Sequence, residues 1–216
     1  MCAVSLLIAD DHEVVRRGIS ALIAEQPGWK IAAEAKDGRD AVIKADQFKP
    51  DVAILDISMP LLNGLEATKQ IAKVSPGTKV LILTVHDADI LVSKVIHAGA
   101  RGYVLKTDLG RELIAAVKAL LANKTFFTAK AEQIVMDGYL GKGPKASGEE
   151  FPQMTGRERE VVQLLAEGKS SKEVATILGI STKTAETHRT NLMRKLNCHS
   201  VAELVRYAVR NHLVEA

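Results

Sequence analysis

The sequence predicts a doubly wound α/β domain built on a parallel five-stranded sheet, followed by an all-α domain of four helices. Two observations predict it. Over the first half of the chain, short continuous apolar runs alternate with segments of helical spacing, the pattern of strands buried on both faces by crossover helices. Beyond a stretch rich in glycine and charge, only helical periodicity remains, punctuated by hydroxyl residues at N-cap positions.

The apolar runs are residues 4–9, 52–55, 80–83 and 103–105, with a weaker strand at 30–35. Between the first two lies residues 14–23, where apolar side chains return every three or four positions. Asp10 and Asp11 follow the first run, Asp56 the second, Thr84 the third and Lys106 the fourth. In parallel strands these five residues meet at one edge of the sheet, where open α/β sheets bind their ligands. Clustered carboxylates raise one another's pKa, so the cluster calls for a cation. Oxygen donors suit Mg²⁺, and Mn²⁺ could substitute for it. A carboxylate beside such an ion can attack a phosphoryl group, with Lys106 pairing with the phosphoryl oxygens and the Thr84 hydroxyl donating to one. Taken singly, these residues are ordinary: an Asp-Asp pair caps helices and turns, Thr84 ends a strand, Lys106 is a solvated charge and Tyr103 half-buried core. Their coincidence on one side of one sheet points to the pocket.

Ala9-Asp10-Asp11-His12, Asp56-Ile57-Ser58-Met59-Pro60 with Asn63-Gly64, Leu83-Thr84 and Gly102-Tyr103-Val104-Leu105-Lys106 together resemble the receiver domain of bacterial two-component response regulators. The resemblance covers roughly the first 125 residues and implies a flavodoxin-like sheet. It implies that Asp56 accepts phosphate from a sensor histidine kinase or a small phosphodonor. Asp10, Asp11, Asp56 and the Ser58 backbone carbonyl would hold Mg²⁺. Thr84 and Tyr103 would be the switch pair, the aromatic ring turning inward behind the hydroxyl, while Ser58 and His86 would tune hydrolysis of the aspartyl phosphate. Thr107 stands where many receivers carry proline after the lysine. The Lys106–Thr107 bond is therefore either trans or a non-proline cis bond costing about 2.5–4 kcal/mol.

Periodicity fades between residues 124 and 152, and residues 138–150 have the composition of a linker, with a short helix expected at 129–136. Residues 151–216 hold ten Lys plus Arg against seven Asp plus Glu, a net +3, whereas residues 1–150 hold nineteen of each. That excess is too small to imply nucleic acid by itself. Thr155, Ser170 and Ser200 are each followed three residues later by Glu, the capping-box pattern, so three helices start there. A further helix begins at Ser181, after Gly179 ends its predecessor. Val161, Val162, Leu164 and Leu165 form one buried stripe, and Val174, Ala175, Ile177 and Leu178 another. Two short helices joined by a tight turn make a helix-turn-helix, whose second member enters the major groove. On that member, Ala185, Leu192 and Leu196 face inward with His188 at the border; Lys183, Arg189, Arg194 and Lys195 can neutralise phosphates.

Residues 153–211 resemble the DNA-binding domain of the LuxR, NarL and FixJ type, through Met154-Thr155-Gly156-Arg157-Glu158, Leu165 to Ala175, Leu178-Gly179-Ile180-Ser181, Thr184, His188, Asn191 and Lys195-Leu196. Ser171 and Ala185 depart from the usual Asn and Val. The resemblance implies that Glu186, Thr187 and Thr190 face bases and that Lys183, Thr184, His188, Arg189 and Lys195 lie near phosphates. A carboxylate at Glu186 could accept from cytosine N4. The last helix, residues 201–211, is expected to expose Val205, Arg206 and Val209, as a dimer surface or as cover for the core.

The domain limits so obtained are a receiver at 1–125, a linker at 126–151 and a helix-turn-helix domain at 152–216. Cys2 and Cys198 read as reduced cytosolic thiols, no histidine pair has ligand spacing, and no apolar stretch approaches the roughly 20 residues that span a bilayer. The expectation is a cytoplasmic, phosphorylation-dependent transcriptional regulator that binds double-stranded DNA as a homodimer. It would be no enzyme beyond self-phosphorylation and slow autodephosphorylation. A Mg-dependent aspartate phosphatase or phosphotransferase is the alternative from another class; such enzymes carry a second acid two residues past the nucleophile, where this chain has Ser58. A DNA-binding regulator indifferent to phosphorylation is the third.

Overall fold

The computed structural model describes residues 3–85, 89–127 and 154–214, which form two compact units. The first is α/β. Its strands are β1 (Val4–Ala9), β2 (Trp29–Ala35), β3 (Val52–Asp56), β4 (Lys79–Thr84) and β5 (Gly102–Leu105). All neighbours pair in parallel, in the order β2-β1-β3-β4-β5. The helices are α1 (Glu13–Ala24), α2 (Gly38–Phe48), α3 (Gly64–Val74), α4 (Asp89–His97) and α5 (Leu109–Leu121), with a 3₁₀ turn at Lys106–Asp108. This is the doubly wound flavodoxin-like order, whose crevice lies where β1 and β3 diverge.

β3 is buried along its whole length and β1 along most of its own, as their unbroken apolar sequences require. One face of the sheet, with Leu6, Ile8, Ile54, Leu81, Leu83 and Val104, packs against Ile19 and Ile23 of α1 and Leu113, Ala116, Val117 and Leu120 of α5. α2 covers the other face with α3 beside it. After α5 the chain returns to the sheet edge. Phe126 accepts from the Tyr103 N–H at 3.0 Å and donates its own N–H to the Arg101 carbonyl at 3.0 Å, covering β5 where it would otherwise be an open edge.

The second unit is all helix: α6 (Gly156–Ala166), α7 (Ser171–Leu178), α8 (Thr182–Lys195) and α9 (Val201–Arg210). Thr155 with Glu158 and Ser170 with Glu173 form complete capping boxes. At Ser200 the hydroxyl caps Glu203 N–H, but the Glu203 carboxylate reaches past the N-cap to the His199 N–H at 2.7 Å. Gly179 ends α7 at φ +64, a left-handed conformation that costs glycine little, and two residues on Ser181 caps α8. The expected stripes of α6 and α7 meet Ala185 and Leu192 of α8 and Leu204 and Ala208 of α9 in one core, although Ile177 is half-buried. Val205 and Val209 are also half-buried; only Arg206 of the three expected exposed residues stands in solvent. Leu204 and Ala208 point straight inward, which leaves their neighbours at the rim. Of the linker expected at 126–151, Phe126 lies against β5, and residues 128–151, with the helix expected at 129–136, lie outside the described residues.

Gly64 opens α3 with its N–H bonded to the Ile57 carbonyl at 2.9 Å. A Cβ there would stand 2.2 Å from the Asp56 carbonyl oxygen, a backbone atom that cannot move without displacing the end of β3. Gly64→Ala is therefore expected to lower stability by about 2–3 kcal/mol. Gly18→Ala, in open space within α1, should raise it by about 0.5–1 kcal/mol. Urea midpoints of the two variants decide this, and a Gly64→Ala midpoint equal to wild type would contradict the close approach.

Candidate functional site

The carboxyl ends of β1, β3, β4 and β5 converge on one pocket. Asp10 follows β1 and is fully buried, Asp56 ends β3 at 2% exposure, and Thr84 ends β4, also fully buried. Lys106 follows β5 and reaches back across the sheet edge, its Nζ 2.8 Å from Asp10 Oδ2 and 2.9 Å from Asp56 Oδ1. One ammonium is thus shared by two buried carboxylates. Asp11 is more exposed, and its Oδ1 lies 2.9 Å from His12 Nδ1. Candidate ligand atoms of Asp10, Asp11, His12 and Asp56 all fall within 4.8 Å of one another.

Charge crowding shows in the titration of the group at the centre. Burial first, then the charge of Asp10, raise the Asp56 carboxyl from 3.8 to about 6, against the opposing pull of Lys106. Burial depresses the Lys106 ammonium, but hydrogen bonds to Asp10 and Asp56 and their charges outweigh it and hold the group above its ordinary value. Three carboxylates with a single ammonium leave uncompensated negative charge, so the pocket fits a divalent cation on an oxygen-rich donor set.

Tyr103 is 1% exposed. Its register partner on β4 is Ile82, two residues before Thr84, so Tyr103 and Thr84 lie on the same face of the sheet. Ser58 is half-buried in the loop after β3. No cis peptide occurs among the described residues, so the Lys106–Thr107 bond is trans. His86 lies outside the described residues.

Two residues near the pocket carried no role in the sequence reading. His12, quoted only as part of a motif, precedes α1 and places its ring against Asp11. Arg16 lies within the helical segment 14–23 and is 5% exposed. A charged residue on the inward helical stripe was the available signal.

On α8, Lys183, Thr184, Glu186, Thr187, Thr190 and Lys195 are exposed, and His188 and Arg189 are half-buried. The Thr187 hydroxyl donates to the Lys183 carbonyl at 2.9 Å, and the Thr184 and Ser181 hydroxyls share a 2.8 Å hydrogen bond. Lys195 Nζ lies 2.8 and 2.9 Å from the two Glu158 oxygens. That hydrogen bond from Lys195 holds the Glu158 carboxyl below its ordinary value.

The fold and pocket define a receiver-type α/β unit joined to a helix-turn-helix unit. Residues 6–118 match the family model of the response regulator receiver domain, and residues 152–208 that of the bacterial regulatory proteins of the luxR family. The chain belongs to the two-component response regulators with LuxR-type output, and it is a DNA-binding transcriptional regulator. It is 38% identical over 215 residues to the oxygen regulatory protein NreC of Staphylococcus epidermidis, covering 97% of this chain and 99% of that one. A LuxR-family two-component response regulator from Aurantimonas sp. is 32% identical with a TM-score of 0.58, over 63% of this chain and 97% of that chain. A structure of RcsB dimers bound to DNA is 25% identical with a TM-score of 0.57, over 94% of this chain and 97% of that chain. No described helix is long and apolar enough to cross a membrane.

Because the Asp56 pKa is raised in the fold, the native state holds this proton more tightly than the unfolded chain. The stability it contributes is full below 3.8 and is lost as pH rises through about 6. In metal-free buffer at pH 7.5, Asp56→Asn is expected to be more stable than wild type by about 2 kcal/mol, with Lys106 still paired to Asp10. Thermal melts from pH 4 to 7.5 should show a decline in wild type that Asp56→Asn lacks, and parallel curves would refute the crowding.

Proposed function

We propose that Asp56 receives a phosphoryl group from a sensor histidine kinase or a small phosphodonor, and that this changes how the helix-turn-helix unit engages DNA. The supporting observation is the Lys106 ammonium held between Asp10 and Asp56 in a buried pocket beside Thr84. An Asp56 carboxylate oxygen forms a bond to phosphorus while the bond from phosphorus to the donor nitrogen or oxygen breaks, its electron pair leaving with the donor. Mg²⁺, held by Asp10, Asp11, Asp56 and the Ser58 carbonyl, would neutralise phosphoryl charge; Mn²⁺ would serve in its place. Lys106 then trades Asp56 for the new phosphoryl oxygens and Thr84 turns its hydroxyl to one of them. Tyr103, on the same sheet face, closes in behind Thr84, and Ser58 and His86 tune how fast water removes the group. Apart from this transfer and its slow reversal by hydrolysis, the chain has no enzymatic role.

The DNA contacts follow from α8. Glu186, Thr187 and Thr190 meet base edges, while Lys183, Thr184, His188, Arg189 and Lys195 lie along phosphates. The phosphorylated chain binds as a homodimer, as the RcsB structure on DNA supports, and it acts in the cytoplasm. The domain limits of the proposal are 1–125, 126–151 and 152–216.

Asp56→Ala should abolish labelling by acetyl phosphate in the presence of Mg²⁺; persistent labelling would sink the assignment, and turnover of p-nitrophenyl phosphate would favour a phosphatase instead. Operator affinity that is the same with and without phosphodonor would remove phosphorylation control. By fluorescence anisotropy, Lys183→Ala should weaken all DNA sequences alike and reduce the salt slope by about one. Glu186→Gln should instead shift preference at one base pair by about 1–3 kcal/mol.

A further inference from the structure

We infer that Arg16 is a positioning residue, which fixes the backbone of Asp10 from α1 so that the Asp10 carboxylate stays aimed into the cation pocket. This rests on the receiver function proposed above. Arg16 and Arg17 are neighbours with opposite fates. Arg17 lies in solvent, 80% exposed, and makes an ordinary pair with Glu13 one turn back at 2.6 Å. Arg16 turns inward at 5% exposure. A guanidinium keeps its charge at any ordinary pH, so burial is tolerated only where its donors find acceptors. Here Nη1 donates to the Asp10 carbonyl oxygen at 2.8 Å, while Nε makes no hydrogen bond and is compensated only by charge, 3.5 Å from Glu34 Oε2 on β2.

Asp10 is held at four atoms, and they differ in what they are anchored to. Its N–H donates to the Ala35 carbonyl at 3.3 Å, a long bond. Its Oδ1 accepts the backbone N–H of His12 at 2.8 Å, at the N-cap of α1 two residues on. Its Oδ2 pairs with Lys106, which Asp56 shares and which phosphoryl oxygens would draw away. The carbonyl bond to Arg16 ties Asp10 to the body of α1, beyond the N-cap His12; that helix is seated on the sheet through Ile19 and Ile23, and Arg16 also faces Glu34 of β2. When Lys106 turns to a phosphoryl group, Arg16 keeps Asp10 in register with Asp56. Groups that orient a metal ligand without touching the metal govern affinity strongly.

The test is calorimetric titration of the full chain with Mg²⁺, alongside acetyl-phosphate labelling at limiting and saturating Mg²⁺. Arg16→Met keeps the length of the side chain and removes its donors. It should raise the Mg²⁺ dissociation constant about tenfold and slow labelling at limiting Mg²⁺, with the rate restored at saturation. Glu34→Ala, at a half-exposed position where folding is not at stake, should raise the constant about threefold alone and add little on top of Arg16→Met, as coupled residues do. An Arg16→Met chain with wild-type Mg²⁺ affinity, or with a labelling defect that saturating Mg²⁺ leaves in place, overturns the inference. Should Arg16→Met fail to fold, an unchanged constant in Glu34→Ala overturns it. A wild-type chain that takes up neither Mg²⁺ nor phosphoryl overturns the receiver function and this inference together, whereas wild-type binding with an unmoved Arg16→Met overturns the Arg16 role alone.

Discussion

The Lys106 ammonium between Asp10 and Asp56 is the interaction around which the α/β unit is arranged. Parallel strands carry their carboxyl ends to one edge, so residues far apart in sequence arrive together with no sequence-local means of adjusting to one another. Two buried carboxylates within reach of a third would not remain ionised together without a counter-charge. Lys106 supplies one charge, short of what the cluster needs, and burial together with the charge of Asp10 leaves the Asp56 carboxyl raised. The fold therefore keeps a site whose charge an added cation would relax. Gly64 shows how tightly this is built: α3 begins against the very carbonyl of Asp56, so the Asp56 backbone is wedged between strand and helix.

The helical unit follows a different logic, in which nearly every decisive interaction is local. Its helices start on hydroxyl caps that bond an N–H three residues on, and α7 ends on a left-handed glycine. Such caps need no tertiary partner, and this explains why a core made mostly of small and medium aliphatic side chains suffices for so short a unit.

Much of this was legible in the sequence, for identifiable reasons. Strands buried on both faces must be apolar throughout, so β1, β3, β4 and β5 announced themselves and the residues ending them pointed to the pocket. Capping boxes announce helices equally well. Depth and partners were less legible. Helical periodicity assigns a face but not how far a long side chain is drawn in, so it does not show that Arg16 reaches the carbonyl of Asp10. Val205 and Val209 erred in the other direction, because a stripe one residue off the inward line sits at the rim. Glu203 was read as the second half of a capping box, yet a flexible carboxylate has two N–H groups within reach and took that of His199. The ion pair of Lys195 with Glu158 crosses 37 residues, and no local pattern encodes a contact at that separation.

That last pair bears on how the helical unit meets DNA. Glu158 serves α6 twice, accepting the Thr155 N–H at 2.7 Å as the return half of its cap and binding Lys195 with both oxygens. In the free chain the Lys195 charge is therefore partly neutralised, and a phosphate approaching it meets competition from a carboxylate held in place by the cap. Both side chains are partly exposed, at 33% and 22%, and exposed pairs are weak because water and salt screen them. A phosphate can thus recruit Lys195 without dismantling α6, since Glu158 keeps its backbone bond when the lysine turns away. On the proposed contacts, binding at Lys195 would release less counterion than at Lys183, an exposed residue in the first turn of α8.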